Sequence, residues 1–276
     1  MKVNQQINQF DYGSDLHVDF FRVNPDWSSI KNPESDVLIL AGDMSHTPII
    51  TRDVLNDAQK VYKYVLYVDG NHDHYNVQRF DRRRSVSDTG NELFSYSIID
   101  GWTFLPFRDL ILGDTVIIGH NAWYDWNAGE DLGITYDDQK NAWMRYIADY
   151  RYVNFADGEL PDVLAKRGSD ILAEKIKEYD ANPDINTIIV VTHSIPKKEA
   201  VMRKADDIIW NRLNGTFLNS HNENINLLSN KVKYWVFGHT HFEYSFKNAH
   251  TQYMCHPRGY PNENDGLDWK PKTVKL

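Results

Sequence analysis

One arrangement recurs along this chain and restricts its fold more than any other feature. A short apolar run ends, with no spacer, in Gly, Asn, Asp or His. Val37-Leu38-Ile39-Leu40-Ala41 runs into Gly42-Asp43, and Tyr64 to Val68 runs into Asp69-Gly70-Asn71-His72-Asp73. Ile188 to Val191 runs into Thr192-His193-Ser194, and Tyr234 to Phe237 runs into Gly238-His239-Thr240-His241. Phe10 to Gly13, before Ser14-Asp15-Leu16-His17, is less apolar but has the same form. Short Val-, Ile- and aromatic-rich runs without alternation read as strands buried on both faces.

Helix-patterned segments separate several of these runs. Thr51 to Tyr62 is one, and Asp162 to Tyr179 is another, with Leu164, Ile171, Leu172, Ile176 and Tyr179 available for an inner face. Strand–helix alternation predicts α/β architecture, in which sites form outside the carboxyl ends of strands. Five strands thus direct polar clusters to one rim. Leu93 to Ile99, Trp102 to Pro106, Thr115 to Ile118, Tyr244 to Phe246 and Gln252 to Cys255 read as further strands, close enough for antiparallel pairing. A mixed, two-sheet core is expected. Tyr136 to Tyr152 reads as one aromatic-rich helix, and Met202, Trp210 and Leu213 as core.

The 276 residues suit one large domain spanning 1–276, since no repeat or Pro/Gly-rich linker divides them. No apolar run is long enough to cross a bilayer, and the start MKVNQQINQF lacks the regions of a secretory signal. A lone cysteine, Cys255, excludes an internal disulfide and fits a reducing, cytoplasmic setting. The net charge of −9 argues against a broad nucleic-acid surface. It would equally repel any phosphate ester unless divalent cations reversed the sign locally.

The strand ends supply the donors for such ions. Asp15 and His17 stand two apart, so in an extended segment their side chains leave one face. His239 and His241 repeat that spacing. Asp43 and Asn71 each follow a Gly that permits a sharp turn. His193 follows an apolar run, where a buried imidazole needs a partner. Taken singly, each pattern is more often a turn or a satisfied histidine than a ligand. Together they place seven ligand-type side chains at one rim, which no packing requirement explains.

The blocks Asp15-x-His17, Gly42-Asp43, Gly70-Asn71-His72-Asp73, His193 and Gly238-His239-Thr240-His241 resemble the five motifs of the calcineurin-like metallophosphoesterase superfamily. No ligand position is substituted. The resemblance implies a four-layer α/β/β/α sandwich with two mixed sheets flanked by helices. It implies one metal on Asp15, His17, Asp43 and His241, and a second on Asp43, Asn71, His193 and His239, with Asp43 shared. Two such divalent ions, of Mn, Fe, Zn, Ni or Co, would deprotonate a shared water that attacks phosphorus in line. His72 is left outside both shells by the family pattern and is placed to donate a proton to the leaving oxygen. Asp73 either orients His72 or raises its pKa through an opposite charge, or is a plain turn residue.

Signals for the substrate are weaker. Asn121, Trp123, Tyr124 and Trp126 form either an aromatic wall or packing. His256-Pro257-Arg258-Gly259-Tyr260 resembles an Asn-Pro-Arg-Gly-Tyr segment of small bacterial members, with His256 departing from it. Arg258 there reads either as a phosphate fork or as half of a structural ion pair. Arg79, Arg82, Arg83 and Arg84 form a solvated face or a steering patch. Gly42-Asp43-Met44-Ser45-His46-Thr47 lacks the Arg of the protein serine/threonine phosphatases, and too little chain follows His241 for the cap of the repair nucleases. The expectation is a hydrolase of small, nucleotide-like phosphate esters, diesters slightly ahead of monoesters. A compact nuclease and a non-catalytic binding scaffold are the alternatives.

Overall fold

All five apolar runs are strands, and their side chains fill both faces of two sheets. The computed structural model describes residues 2–21, 24–75, 84–155, 158–204, 206–264 and 268–276. The first sheet contains β2 (Gln9–Gly13), β3 (Val37–Ala41), β4 (Tyr64–Val68), β5 (Thr103–Phe104) and β12 (Lys272–Lys275), in the order β12-β2-β3-β4-β5. The second holds β1 (Lys2–Val3), β6 (Leu110–Leu112), β7 (Thr115–His120), β8 (Thr187–Thr192), β9 (Val232–Phe237), β10 (Tyr244–Asn248) and β11 (Thr251–Cys255), in the order β1-β6-β7-β8-β9-β11-β10. The pairs β2–β3, β3–β4 and β8–β9 are parallel, whereas β12–β2, β6–β7 and β10–β11 are antiparallel. Both sheets are therefore mixed.

Alternation along each strand sorts side chains between two cores. Val37, Ile39 and Ala41 of β3 meet Ile189 and Val191 of β8 and Val236 of β9 between the sheets. Leu38 and Leu40 point the other way, onto Val54, Leu55 and Ala58 of α2 (Pro48–Gln59) and Leu93 of α3 (Val86–Asp100). On the far side, Ile188 and Val190 of β8 pack with Leu172 and Ile176 of α6 (Pro161–Ala181). The layers run helix, sheet, sheet, helix. No helix among the described residues is long and apolar enough to cross a membrane.

Four expectations change. Leu93 to Ile99 is not a strand but the body of α3. Ser85 and Asp88 form a capping box at its start, and Gly101 closes it in the left-handed region. Its apolar run reads as a strand by composition, but Gly90, Leu93 and Ser97 form the buried stripe while Ile98 and Ile99 face solvent. Tyr136 to Tyr152 is two helices, α4 (Tyr136–Tyr146) and α5 (Asp149–Tyr152), because Ile147 is extended at φ −94° and ψ 136°. Met202, Trp210 and Leu213 are half-buried rather than core. The helix expected from Thr51 begins earlier, at Pro48, whose fixed φ suits a first turn. Arg79, Arg82 and Arg83 lie outside the described residues, and Arg84 pairs with Glu92.

Candidate metal centre and active site

Backbone bonds tie the loop after β2 to the loop after β3, and the loop after β8 to the loop after β9. Asp15 N–H donates to the Gly42 carbonyl at 3.0 Å, and His17 N–H to that of Asp43 at 3.1 Å. Gly238 N–H donates to the His193 carbonyl at 2.9 Å. The two sheets are joined where His239 N–H donates to Asp15 Oδ1 at 2.9 Å and where His193 Nδ1 donates to the Ala41 carbonyl at 2.8 Å. The carboxyl edges of both sheets therefore share one rim.

The loops reach it through strained backbone. Asp15 (φ 52°), His17 (42°), Asp43 (55°), His239 (70°) and His241 (53°) all occupy the left-handed region. Each such non-glycine residue costs roughly 1–3 kcal/mol, and such strain clusters at functional sites. The rigid inter-sheet core sustains it, since a fully buried aliphatic side chain contributes roughly 1.5–3 kcal/mol before chain entropy. Gly42, at φ 86°, turns here, and a Cβ on Gly70 would collide with the Asp43 carboxylate. Glycine is required at both places.

The donors converge in three overlapping groups: Asp15, His17 and His241; His17, Asp43 and His72; and Asp43, His193 and His239. Within each group one ligand atom per residue lies within 4.8 Å of the others. His17 Nε2 faces His241 Nε2 at 2.9 Å, and His193 Nε2 lies 3.3 Å from Asp43 Oδ2 and 3.0 Å from Asn71 Oδ1. The ring nitrogens turned away from the centre are engaged at three of the four imidazoles. His193 Nδ1 meets the Ala41 carbonyl, His239 Nε2 the Thr216 carbonyl at 2.7 Å, and His241 Nδ1 the Glu263 carboxylate at 2.7 Å. Such contacts fix the tautomer and leave the inner nitrogen as a lone pair, as metal-ligating histidines require. The donor set fits a divalent ion.

Charge is arranged to match. Burial opposes ionisation of Asp43, but His193, His72 and His17 outweigh it and hold that carboxyl well below its ordinary range. Burial lowers His17 well below its ordinary value, lowers His72, and lowers His239 to about 3. His193 is also opposed by burial, yet Asp43 and Asp15 carry it up to about 10.

His72 projects beside this cluster and stacks on Tyr75, with ring centroids 4.2 Å apart. Its Nε2 lies 3.4 Å from the Tyr260 hydroxyl. Asp73 does not orient it. The buried Asp73 carboxylate accepts from Asp43 N–H (3.1 Å), Gly70 N–H (2.8 Å), Thr51 Oγ1 (2.8 Å) and the Tyr67 hydroxyl. It staples the loop of Asp43 to the loop of Asn71 and His72, a role larger than that of a turn residue.

The three substrate candidates also lie elsewhere. Asn121 and Trp123 are buried and line a different cavity, with Asp69, His120 and Arg167. Asn121 serves through its carbonyl, which accepts from His193 N–H at 3.1 Å. Trp126 belongs to an aromatic cluster with Trp143, and Tyr124 stacks flat on His239. Arg258 is buried with its guanidinium 3.5 Å from the Phe21 ring centroid, away from the cleft lining. Its segment contributes differently, by Gly259 N–H donating to the Asp15 carbonyl at 3.0 Å and by Tyr260 reaching the cleft.

Sequence reasoning missed Asp149. It is buried, accepts from Asn71 Nδ2 at 2.9 Å, and takes the hydroxyls of Tyr75 and Tyr124, each at 2.5 Å. Burial first, then this carboxylate, raises both phenols well above their usual range, so both remain donors. The extended Ile147 that ends α4 is what turns Asp149 inward, and no motif announces it. The cleft over the cluster has a volume of about 580 Å³, with Tyr75, Ile147, Trp210, Phe217, Phe242 and Tyr260 among its walls.

Residues 14–243 match the family model described as calcineurin-like phosphoesterase. The chain belongs to the calcineurin-like phosphoesterases. As a member of that family it is a metal-dependent phosphoester hydrolase, and the family's motif blocks are the ones gathered at this rim. An uncharacterized protein of Acanthamoeba polyphaga mimivirus is 24% identical over 277 residues, covering 93% of each chain. The phosphopantetheinyl hydrolase of Mycobacterium tuberculosis shares the fold with a TM-score of 0.75 at 14% identity, over 97% of this chain and 95% of that one. A dimetal phosphatase from Danio rerio matches with a TM-score of 0.50 at 12% identity, over 98% and 92% of the respective chains.

Proposed function

We propose that this phosphoesterase holds two divalent ions on the shared Asp43 and hydrolyses small-molecule phosphate esters, with diesters preferred to monoesters. Asp15, His17, Asp43 and His241 would hold one ion, and Asp43, Asn71, His193 and His239 the other. The overlap of the donor groups at Asp43 is the observation that carries this reading. Bound there, two ions supply a nucleophile at neutral pH and neutralise charge on the phosphoryl oxygens. His72 gives its proton to the leaving oxygen, while Tyr75 keeps the ring in place.

The preference for diesters follows from charge. A monoester brings up to two negative charges at neutral pH, and a diester brings one. Among the described residues lining the cleft none is Lys or Arg, whereas Asp43, Asp149 and Glu263 are present. Beyond the metal ions, little there would compensate a second charge. The aromatic and aliphatic walls favour an ester with a flat or apolar group, of nucleotide size or smaller. A nucleic-acid polymer is disfavoured by the same carboxylates and by the net charge of −9. Retention of every ligand together with His72 speaks against a non-catalytic scaffold. A single buried cysteine, Cys255, fits a cytoplasmic setting.

The test compares bis-aryl and mono-aryl phosphates with manganese, nickel or zinc added. A higher kcat/KM for the diester is expected, together with two ions per chain by elemental analysis. Preference for the monoester, or one ion at saturation, overturns the corresponding half of the reading.

A further inference from the structure

A second cavity lies apart from the cleft, and the two linings share no residue. Its volume is about 290 Å³, near the lower end of the range for ligand pockets. Asp69, Phe104, His120 and Asn121 bring it to the carboxyl ends of β4, β5 and β7, and α3 and α6 close its sides with their N-terminal halves. Asn121 is buried at 3% exposure, and among the described residues its side-chain Nδ2 has no hydrogen-bond partner. Buried donors are rarely left unmet, because each costs its full desolvation. A missing side chain adds to this. Gly90 lies inside α3, where glycine weakens a helix. No close neighbour requires it, since a Cβ there would meet Phe107 Cε2 at 3.8 Å, an ordinary contact. The glycine leaves open space that a side chain would fill.

The lining also limits what can enter. Phe104 and Phe107 stack with centroids 5.7 Å apart and form an aromatic wall that suits a flat ring. Asp69 is held by His74, with Nε2 2.6 Å from Oδ2, and its carboxylate keeps further lone pairs for a donor. His120 Nδ1 accepts from Ala122 N–H at 3.1 Å, so the neutral ring carries its hydrogen on Nε2. An anion is disfavoured, because Asp69 repels it and Arg167 is already paired with Glu159 at 2.5 Å. A neutral ring must therefore offer a donor to Asp69 and an acceptor to Asn121. An Asn amide pairs in just this way with the amine and adjoining ring nitrogen of adenine, and a carboxylate accepts from an exocyclic amine. We propose that the cavity is a second small-molecule site, for an uncharged heteroaromatic base bearing an exocyclic amine, with adenine as the type. One amine hydrogen goes to Asp69 and the other to Asn121 Oδ1, while Asn121 Nδ2 donates to the adjoining ring nitrogen. The site is separate from ester hydrolysis and does not depend on which ester is cleaved.

Calorimetric titration of the protein with adenine, manganese present, tests this. One saturable event per chain is expected. Hypoxanthine, which has the same outline with a carbonyl in place of the amine, should bind about ten-fold more weakly or worse. Benzoate, a flat anion, should bind more weakly still. Gly90→Leu fills the cavity from a helix position that accepts a side chain, so it should melt no lower than the wild type yet lose adenine binding. Asn121→Leu, of similar volume, removes the unmet donor and should lower adenine affinity about ten-fold without lowering the melting temperature. Adenine binding that survives Gly90→Leu belongs to the cleft over the Asp and His cluster and overturns the proposal. Absence of adenine binding, or hypoxanthine or benzoate binding as tightly as adenine, overturns it too. So does full affinity in Asn121→Leu.

Discussion

Asn71 donates from its side-chain nitrogen to Asp149 Oδ1 at 2.9 Å while its oxygen faces His193 Nε2 at 3.0 Å. An amide has one donor end and one acceptor end, so Asp149 decides which of them meets an ion. On the two-ion reading proposed above, Asp149→Asn should weaken one of the two sites about 10- to 100-fold, as loss of an outer-shell partner typically does. Calorimetric titration with zinc should then resolve one unchanged and one weakened event. Two unchanged events would show that Asn71 is oriented by something else. Asp149→Ala should in addition lower stability, because two buried phenol hydroxyls lose their acceptor at roughly 1–3 kcal/mol each.

Asp43 occupies both the His17 and the His193–His239 donor groups. Asp43→Ala should therefore remove ions from both sites, whereas His241→Ala should empty only one. Elemental analysis after desalting reads this directly. Full occupancy of either site in Asp43→Ala would rule out a shared ligand. The variant should not gain a productive core, since the position lies in a loop at φ 55° that alanine tolerates no better.

His72 is placed differently. Its backbone N–H donates to Asp43 Oδ1 at 2.8 Å, a bond that His72→Ala preserves. The variant should keep its metals and lose about 10²- to 10⁴-fold in turnover, the range for a general acid, with the largest loss for poor leaving groups. A uniform loss across a series of aryl phosphates would assign His72 to charge stabilisation instead.

The layers and the cluster of Asp, Asn and His side chains were legible because strand-end motifs are local: an apolar run and the Gly, Asp, Asn or His after it are contiguous in sequence. What supports those residues is not contiguous. Asp149 reaches Asn71 from 78 positions away, and Glu263 reaches His241 from 22. Asp73 misled for the opposite reason. Adjacency to His72 in sequence is not contact: Asp73 bonds to the backbone of Asp43 and Gly70 instead. The same holds for Arg258 and Trp123, whose residue types suit a substrate but whose side chains are spent on packing. Leu93 to Ile99 failed on period: its capping box and closing glycine were stronger signals than its β-prone composition.

His120, at the end of β7, gives a pH dependence separable from the metal centre. Burial lowers its pKa from 6.5 to about 4, with Asp69 opposing and the cations Lys175 and Arg167 assisting. Its Nδ1 accepts from Ala122 N–H at 3.1 Å, so a proton on Nδ1 breaks that bond. The folded chain binds this proton less readily than the unfolded chain. Stability linked to His120 is therefore complete above the unfolded value of 6.5 and is lost as pH falls from there toward about 4. Because the ring is only partly shielded, the loss by pH 5 should be roughly 1–2 kcal/mol, below what the full shift implies. His120→Asn keeps an acceptor for Ala122 N–H but does not titrate. Urea unfolding of both proteins at pH 7.5 and pH 5 should show the wild type losing more stability on acidification by that amount. Since both have the same Asp and His cluster at the rim, its own acid sensitivity cancels in the difference. Equal losses would mean that His120 keeps an ordinary pKa in the folded chain.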